Sequence, residues 1–290
     1  MTAALARGLA LDGGVLATIA LAAGYLSRVV VPRPPVGRFV WSDIAVMIAI
    51  LVVMPFAYAH MPIGIVVAVF GLMVFTATQV TLTPLVGGWW AALAAAALCA
   101  ADGAAALAGR QTALLAVNDL AIVVVTIGVT NMWAQTGMTA SHVVGLAAAI
   151  AVYDALATGL SSVTADFVSR VVGMPFAPML AAQYGSAPTL IGLGDCLMLT
   201  IWPLVAARTY GWAAARWAVG VNMTVLVGIL AGFLTNVIHG DVPVLTLLGP
   251  LIIAQYLIWR RRRPAPTQRP ALAPAVAQFL AHHPNEPADG

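Results

Sequence analysis

The 290-residue chain is 62% hydrophobic and only 8% charged, and its mean hydropathy is +0.97. A water-soluble domain carries about 25% charged residues, so soluble globular, disordered and disulfide-scaffold classes are excluded. All 13 basic residues are Arg, and the net charge is +3. The run Arg260 to Arg263 directly follows an apolar segment, which is the pattern of a cytoplasmic helix stop and not of nucleic-acid binding.

Long apolar runs in lipid must satisfy their backbone groups internally, which leaves an all-α polytopic membrane protein. Stretches of about 20 apolar residues, enough to cross roughly 30 Å of hydrocarbon, predict nine transmembrane helices. They lie near 13–31, 41–59, 62–82, 88–108, 113–133, 138–160, 188–208, 213–238 and 242–259. Spans one to five make an N-terminal segment, 1–137; spans six to nine make a second, 138–259. Residues 260–290, with six prolines, read as a disordered cytoplasmic tail whose His282 and His283 are solvated rather than metal-binding. Between spans six and seven, Phe167, Val168, Val171 and Val172 recur with Asp166 and Arg170 at near-helical spacing, predicting a short helix in the outer interface. An N-out, C-in orientation places ten arginines inside and three outside, as the positive-inside rule favours. The absence of Lys beside abundant Ala suits a GC-rich bacterial genome, and hence a bacterial inner membrane.

Cys99 and Cys196 lie in apolar stretches and read as buried thiols. Four aspartates fall inside spans: Asp102, Asp119, Asp154 and Asp195. An Asp at the centre of a membrane helix costs about 2.5–3.5 kcal/mol, so each asks for a partner, a wet cavity or a function. Asp154 lies six residues before the end of span six, and Asp195 lies seven residues into span seven. At 1.5 Å per residue both are about 9–10 Å below the outer side. Asp102 and Asp119 on spans four and five pass the same depth test, with Arg110 between them to neutralise one acid.

Local sequence separates the two pairs. Gly192, Leu193 and Gly194 precede Asp195; two glycines there let another backbone approach and let the helix loosen. Tyr153 precedes Asp154 and offers a hydroxyl to hydrogen-bond near the acid. Pro243, Val244 and Leu245 open span nine, where a proline in the first turn is at home.

Together, Tyr153-Asp154, Gly192-Leu193-Gly194-Asp195 and Pro243-Val244-Leu245, in this order on a nine-span chain, resemble the GxGD intramembrane aspartyl proteases of the presenilin and signal peptide peptidase family. Val244 stands where that family usually has Ala. The short connection between the acids and the N-out orientation resemble the signal peptide peptidase branch. The resemblance covers spans six to nine and implies a presenilin-like helical fold, with Asp154 and Asp195 as catalytic residues. It also implies that Tyr153, Gly192, Leu193, Gly194, Pro243, Val244 and Leu245 support the site and the substrate. The implied substrate is a single-span membrane protein or signal-peptide remnant, unwound and held by main-chain groups around Gly192 and Pro243.

Like charges a few ångströms apart in low dielectric cannot both ionise, so the pair is expected to share one proton. One Asp takes a proton from the attacking water and the other hydrogen-bonds the scissile carbonyl. No metal or cofactor is expected, because the chain lacks a His-Glu-x-x-His motif. The alternatives are a proton-coupled transporter loading buried Asp residues, a prepilin-type peptidase, which shares Gly-x-Gly-Asp but has a cytoplasmic cysteine cluster absent here, and a catalytically inactive relative.

Overall fold

The computed structural model describes residues 2–31, 39–159, 161, 163–183, 189–238 and 242–262. The chain forms α1 (Thr2–Arg28), α2 (Trp41–His60), α3 (Ile63–Val86), α4 (Gly88–Leu107), α5 (Gln111–Gln135) and α6 (Ala140–Asp154). A π-helical turn, Ala155–Gly159, follows α6 directly. Then come α7 (Val163–Val171), β1 (Met179–Gln183), β2 (Thr189–Gly192), α8 (Leu193–Tyr210), α9 (Trp212–Leu234) and α10 (Val244–Arg261). Among the described residues, seven helical segments are long and apolar enough to cross a membrane: α1 to α5, α6 continued through the π-helical turn to Thr158, and α9; this makes the chain an integral membrane protein.

Each of the nine apolar windows coincides with one long helix. The two outside that set of seven, α8 and α10, have 18 residues each. For α8 the reason is its position. It packs against α1, α5, α6, α9 and α10, and eleven of its residues are buried, Trp202 completely. A helix surrounded by protein tolerates Asp195 and Arg208 without meeting lipid.

One hydrophobic cluster runs from Val15 on α1 through Ala121 and Leu199 to Ile252 on α10, so both halves of the sequence share a core. Gly87 (φ 85°) and Gly211 (φ 94°) each end one helix and begin the next, a left-handed conformation that would strain any side chain. Thr139 caps α6 by accepting the His142 N–H at 3.3 Å. On α10, Gly249 is buried against α6: a Cβ there would stand 3.0 Å from Ala147 O and 2.5 Å from the Ala151 Cβ.

The short helix expected between spans six and seven is present as α7. Its Phe167 stacks on Tyr58 with centroids 5.8 Å apart, and Val171 is buried beside Phe70. Arg170 donates to Tyr58 O (2.5 Å) and Met61 O (2.8 Å), closing the carboxyl end of α2 where carbonyls lack helical partners.

Several boundaries differ from the sequence-based expectation. Span one begins at Thr2 rather than near 13, because residues 2–11 are Ala- and Leu-rich helix formers. Asp12 is therefore a fifth in-span aspartate, and Arg7, in the same helix, donates to Gln183 Oε1. Helix α10 runs to Arg261, past the expected end at 259. Of the tail expected over 260–290, residues 260–262 complete and cap α10, and the rest, like the proline-rich link Pro32 to Arg38, lies outside the described residues. Between α7 and α8 the chain forms an antiparallel hairpin where a loop was expected, so α8 starts at Leu193 and not near 188.

Candidate functional site

The final residue of α6 and the first turns of α8 and α10 meet at one end of the bundle. Asp154 closes α6. Its Oδ2 accepts the backbone N–H groups of Leu245 (3.0 Å) and Thr246 (3.3 Å), and its Oδ1 accepts the Thr158 hydroxyl (3.0 Å). Leu245 and Thr246 belong to the first turn of α10; the Leu245 N–H has no other acceptor there, and the Thr246 N–H is shared with Pro243 O at 3.1 Å. Pro243 is the N-cap of α10, with φ −73° and ψ 83°. It carries no N–H of its own, and the donors that reach α6 are those of Leu245 and Thr246. Asp154 thus caps α10 from α6, at the positive end of the helix dipole. Thr246 ties the same two helices again, its hydroxyl donating to Ala151 O at 3.2 Å.

The π-helical turn after Asp154 carries Thr158, four residues on. Such turns widen a helix locally and recur at functional sites. Here the turn brings the Thr158 hydroxyl to Asp154 and within 3.0 Å of the Thr164 hydroxyl on α7, linking the acid to that short helix.

Asp195 lies in the first turn of α8, partly buried. Its carboxyl faces the backbone N–H of Gly192 and stands within electrostatic range of Asp154. Gly192 is the N-cap of α8, with φ −66° and ψ 151°, an extended conformation open to any residue. Space is tight there: a Cβ would sit 3.1 Å from Asp195 Oδ2, so any other residue would push on the acid. At Gly194 a Cβ would have nothing within 4 Å, so the chain leaves open room beside the acid. The expected loosening of a helix at the two glycines does not occur, because they stand at a strand-to-helix junction and α8 is regular from Leu193 onward. Leu193 itself is buried and donates its N–H to Pro178 O at 2.9 Å, extending the hairpin by one pair.

Of the supporting residues named from sequence, Gly192, Gly194, Pro243 and Leu245 contact or border the two acids. Val244 lies partly buried in the first turn of α10 and packs on the core. Tyr153 differs from expectation. Its hydroxyl is buried with no hydrogen-bond partner among the described residues, so it does not serve the neighbouring acid; consecutive helical residues point about 100° apart. Thr158 and Thr246 were not anticipated. Thr158 was within reach of sequence reasoning, because residues four apart on a helix are neighbours.

The other acid pair is engaged elsewhere. Asp102 Oδ2 accepts the Phe176 N–H at 2.6 Å and Asp119 Oδ1 accepts the Ala181 N–H at 2.9 Å. Neither bonds Arg110, which is exposed at the α4–α5 turn, so the expected neutralisation by that arginine is replaced by backbone amides. Among the described residues there is no cluster of three or more metal-ligating side chains.

The class these observations define is a polytopic helical membrane protein with two aspartates gathered near one end of its bundle. In comparisons with family models, curated proteins and solved structures, the chain matches none.

Proposed function

We propose that the protein is an intramembrane aspartyl endopeptidase resembling signal peptide peptidase and presenilin, with nine spans, seated N-out and C-in in a bacterial inner membrane. Its substrate is a transmembrane helix, either a single-span protein or a signal-peptide remnant. The observation that carries this is the position of Asp154. It is held by the amides that follow Pro243 on α10, and it stands within electrostatic range of Asp195 beside the Gly-Leu-Gly turn.

The hydrogen bonds favour a division of labour. Asp154 accepts three donors, which suits a carboxylate. Asp195 holds the proton shared by the pair. Asp154 takes a proton from water as that water attacks the scissile carbonyl, and Asp195 hydrogen-bonds the carbonyl oxygen. As the tetrahedral intermediate collapses, the leaving amine gains a proton from Asp154 and the pair returns to its starting state.

A helical substrate hides its peptide bonds, so it must unwind locally. The partly buried outer edge of β2 and the open space at Gly194 offer an unwound segment a main-chain partner by strand addition. The experiment is cleavage of a single-span reporter by the purified chain in nanodiscs, with Asp154→Asn and Asp195→Asn beside the native protein. Both variants are expected to lose all cleavage while remaining inserted and folded, and full activity in either refutes the proposal.

A further inference from the structure

Asp102 and Asp119 are in-membrane acids that this chemistry does not use, and their bonds converge on the segment leading to β2 and Asp195. Asp102 accepts from Phe176, a non-glycine residue at φ 61°. From α5, Asn118 Nδ2 donates to Met179 O at 3.0 Å, and the adjacent Asp119 accepts from Ala181 N.

The hairpin register explains the choice of Met179 and Ala181. Residues 179–181 face 192–190 in antiparallel order, and the Leu193 N–H to Pro178 O bond marks 178 and 193 as a hydrogen-bonded pair. Hydrogen-bonded and non-hydrogen-bonded pairs alternate, so Leu180 bonds Ile191 while Met179 and Ala181 turn their backbone groups away from β2. The outer edge of β1 therefore presents a carbonyl at 179 and an N–H at 181, on residues whose Cα atoms are about 7 Å apart. Asn118 supplies a donor to the first and Asp119 an acceptor to the second. Asn118 is fully buried, and Met179, Leu180 and Ala181 are buried with it. Leu190, whose backbone groups face outward from β2, is only partly buried.

We propose that Asn118 and Asp119 are positioning residues: their side chains take the place of a third strand on the outer edge of β1. They lock the hairpin register, and through Gly192 the place of Asp195, and they leave β2 as the edge that receives substrate. The substrate half of this statement rests on the protease reading, whereas the anchoring half does not.

The test uses the full-length protein in nanodiscs with Asp119→Ala, Asp119→Asn and the near-isosteric Asn118→Leu. It reads amide hydrogen exchange over 176–192 and the cleavage positions in a single-span reporter. Loss of a hydrogen bond to a charged group is expected to speed exchange at β1 by about tenfold to a hundredfold in Asp119→Ala. In that variant and in Asn118→Leu, cleavage spreads from one main bond to neighbouring bonds. Asp119→Asn keeps an acceptor oxygen and is expected to restore both native exchange and the single main site. Unchanged exchange in Asp119→Ala and Asn118→Leu overturns the assignment. So does an Asp119→Asn variant that behaves like the alanine, because the charge and not the bond would then be what matters. A native protein that cuts no reporter overturns the protease reading, while the exchange measurements still decide the anchor.

Discussion

Replacing Gly249 by Ala adds one methyl group where α10 lies tightly against α6, and its effect follows from distances. The new Cβ would stand 3.0 Å from Ala147 O and 2.5 Å from the Ala151 Cβ, whereas carbon atoms settle about 3.5–4.0 Å apart. One neighbour is backbone and the other is a Cβ, so no rotamer change relieves the clash and α10 must retreat by about 1 Å. Leu245 lies four residues, or about 6 Å, along the same helix. Its N–H meets Asp154 at 3.0 Å and that of Thr246 does so at 3.3 Å. A retreat of that size carries the Leu245 bond past the range of an N–H···O bond, about 3.2 Å, and breaks the longer Thr246 contact with it. Misplacing a reacting group by about 1 Å costs on the order of a hundredfold in rate. The expected result is kcat on a single-span reporter lowered by about a hundredfold with KM little changed, together with about 1–3 kcal/mol of lost stability from overpacking. The control is Gly220→Ala on α9, where a Cβ meets nothing within 4 Å. Steady-state cleavage and thermal unfolding in nanodiscs read both effects. Native kcat and Tm in Gly249→Ala would refute the claim that the seating of α10 on α6 places Asp154.

Asp154→Ala strands the Leu245 N–H and takes from the Thr246 N–H one of its two acceptors, so it is expected to cost about 1–3 kcal/mol; Asp154→Asn keeps the acceptor and nearly native stability, which unfolding curves of the two would separate. The pH profile of kcat/KM should be bell-shaped, because cleavage needs one proton on the pair: activity falls at low pH when both acids are protonated and at high pH when neither is. A profile with a single limb would count against a shared proton. Arg170→Gln removes the guanidinium from Tyr58 O and Met61 O and should speed amide exchange in α7 and the last turn of α2, leaving α9 unaffected. Asp12→Asn should leave cleavage unchanged, since Asp12 belongs to α1 and has no bond to the pair; a loss comparable to Asp195→Asn would favour proton transport.

The apolar windows located every long helix because lipid and buried core impose the same demand, about 20 residues without charge. They misplaced the start of α1, where Arg7 and Asp12 interrupt the hydropathy, although Ala and Leu carry the helix through them. The hairpin was illegible for a different reason. Met179–Gln183 and Thr189–Gly192 are too short and too uniformly apolar to show a period of two, although Gly185, Ser186 and Pro188 between them are turn-forming residues. Asp154, Asp195 and Pro243 could be singled out from local sequence. The roles of Asp102 and Asp119 could not, since their partners are backbone amides more than 60 positions away. Nor did the sequence distinguish a kinked helix from a strand-to-helix junction at Gly192, because glycine serves both.

The capping of α10 by Asp154 also bears on how related chains should be compared. Two separate demands fall on position 154, an acceptor for the amides of another helix and a group able to exchange a proton. A lineage that lost catalysis would still be under pressure to keep the acceptor, and asparagine meets that need as well as aspartate does. Survival of a polar residue at 154 therefore says little about activity. The informative comparison is between carboxylate and amide at that position, read together with position 195, where the side chain spans no gap between helices and drift would meet less resistance.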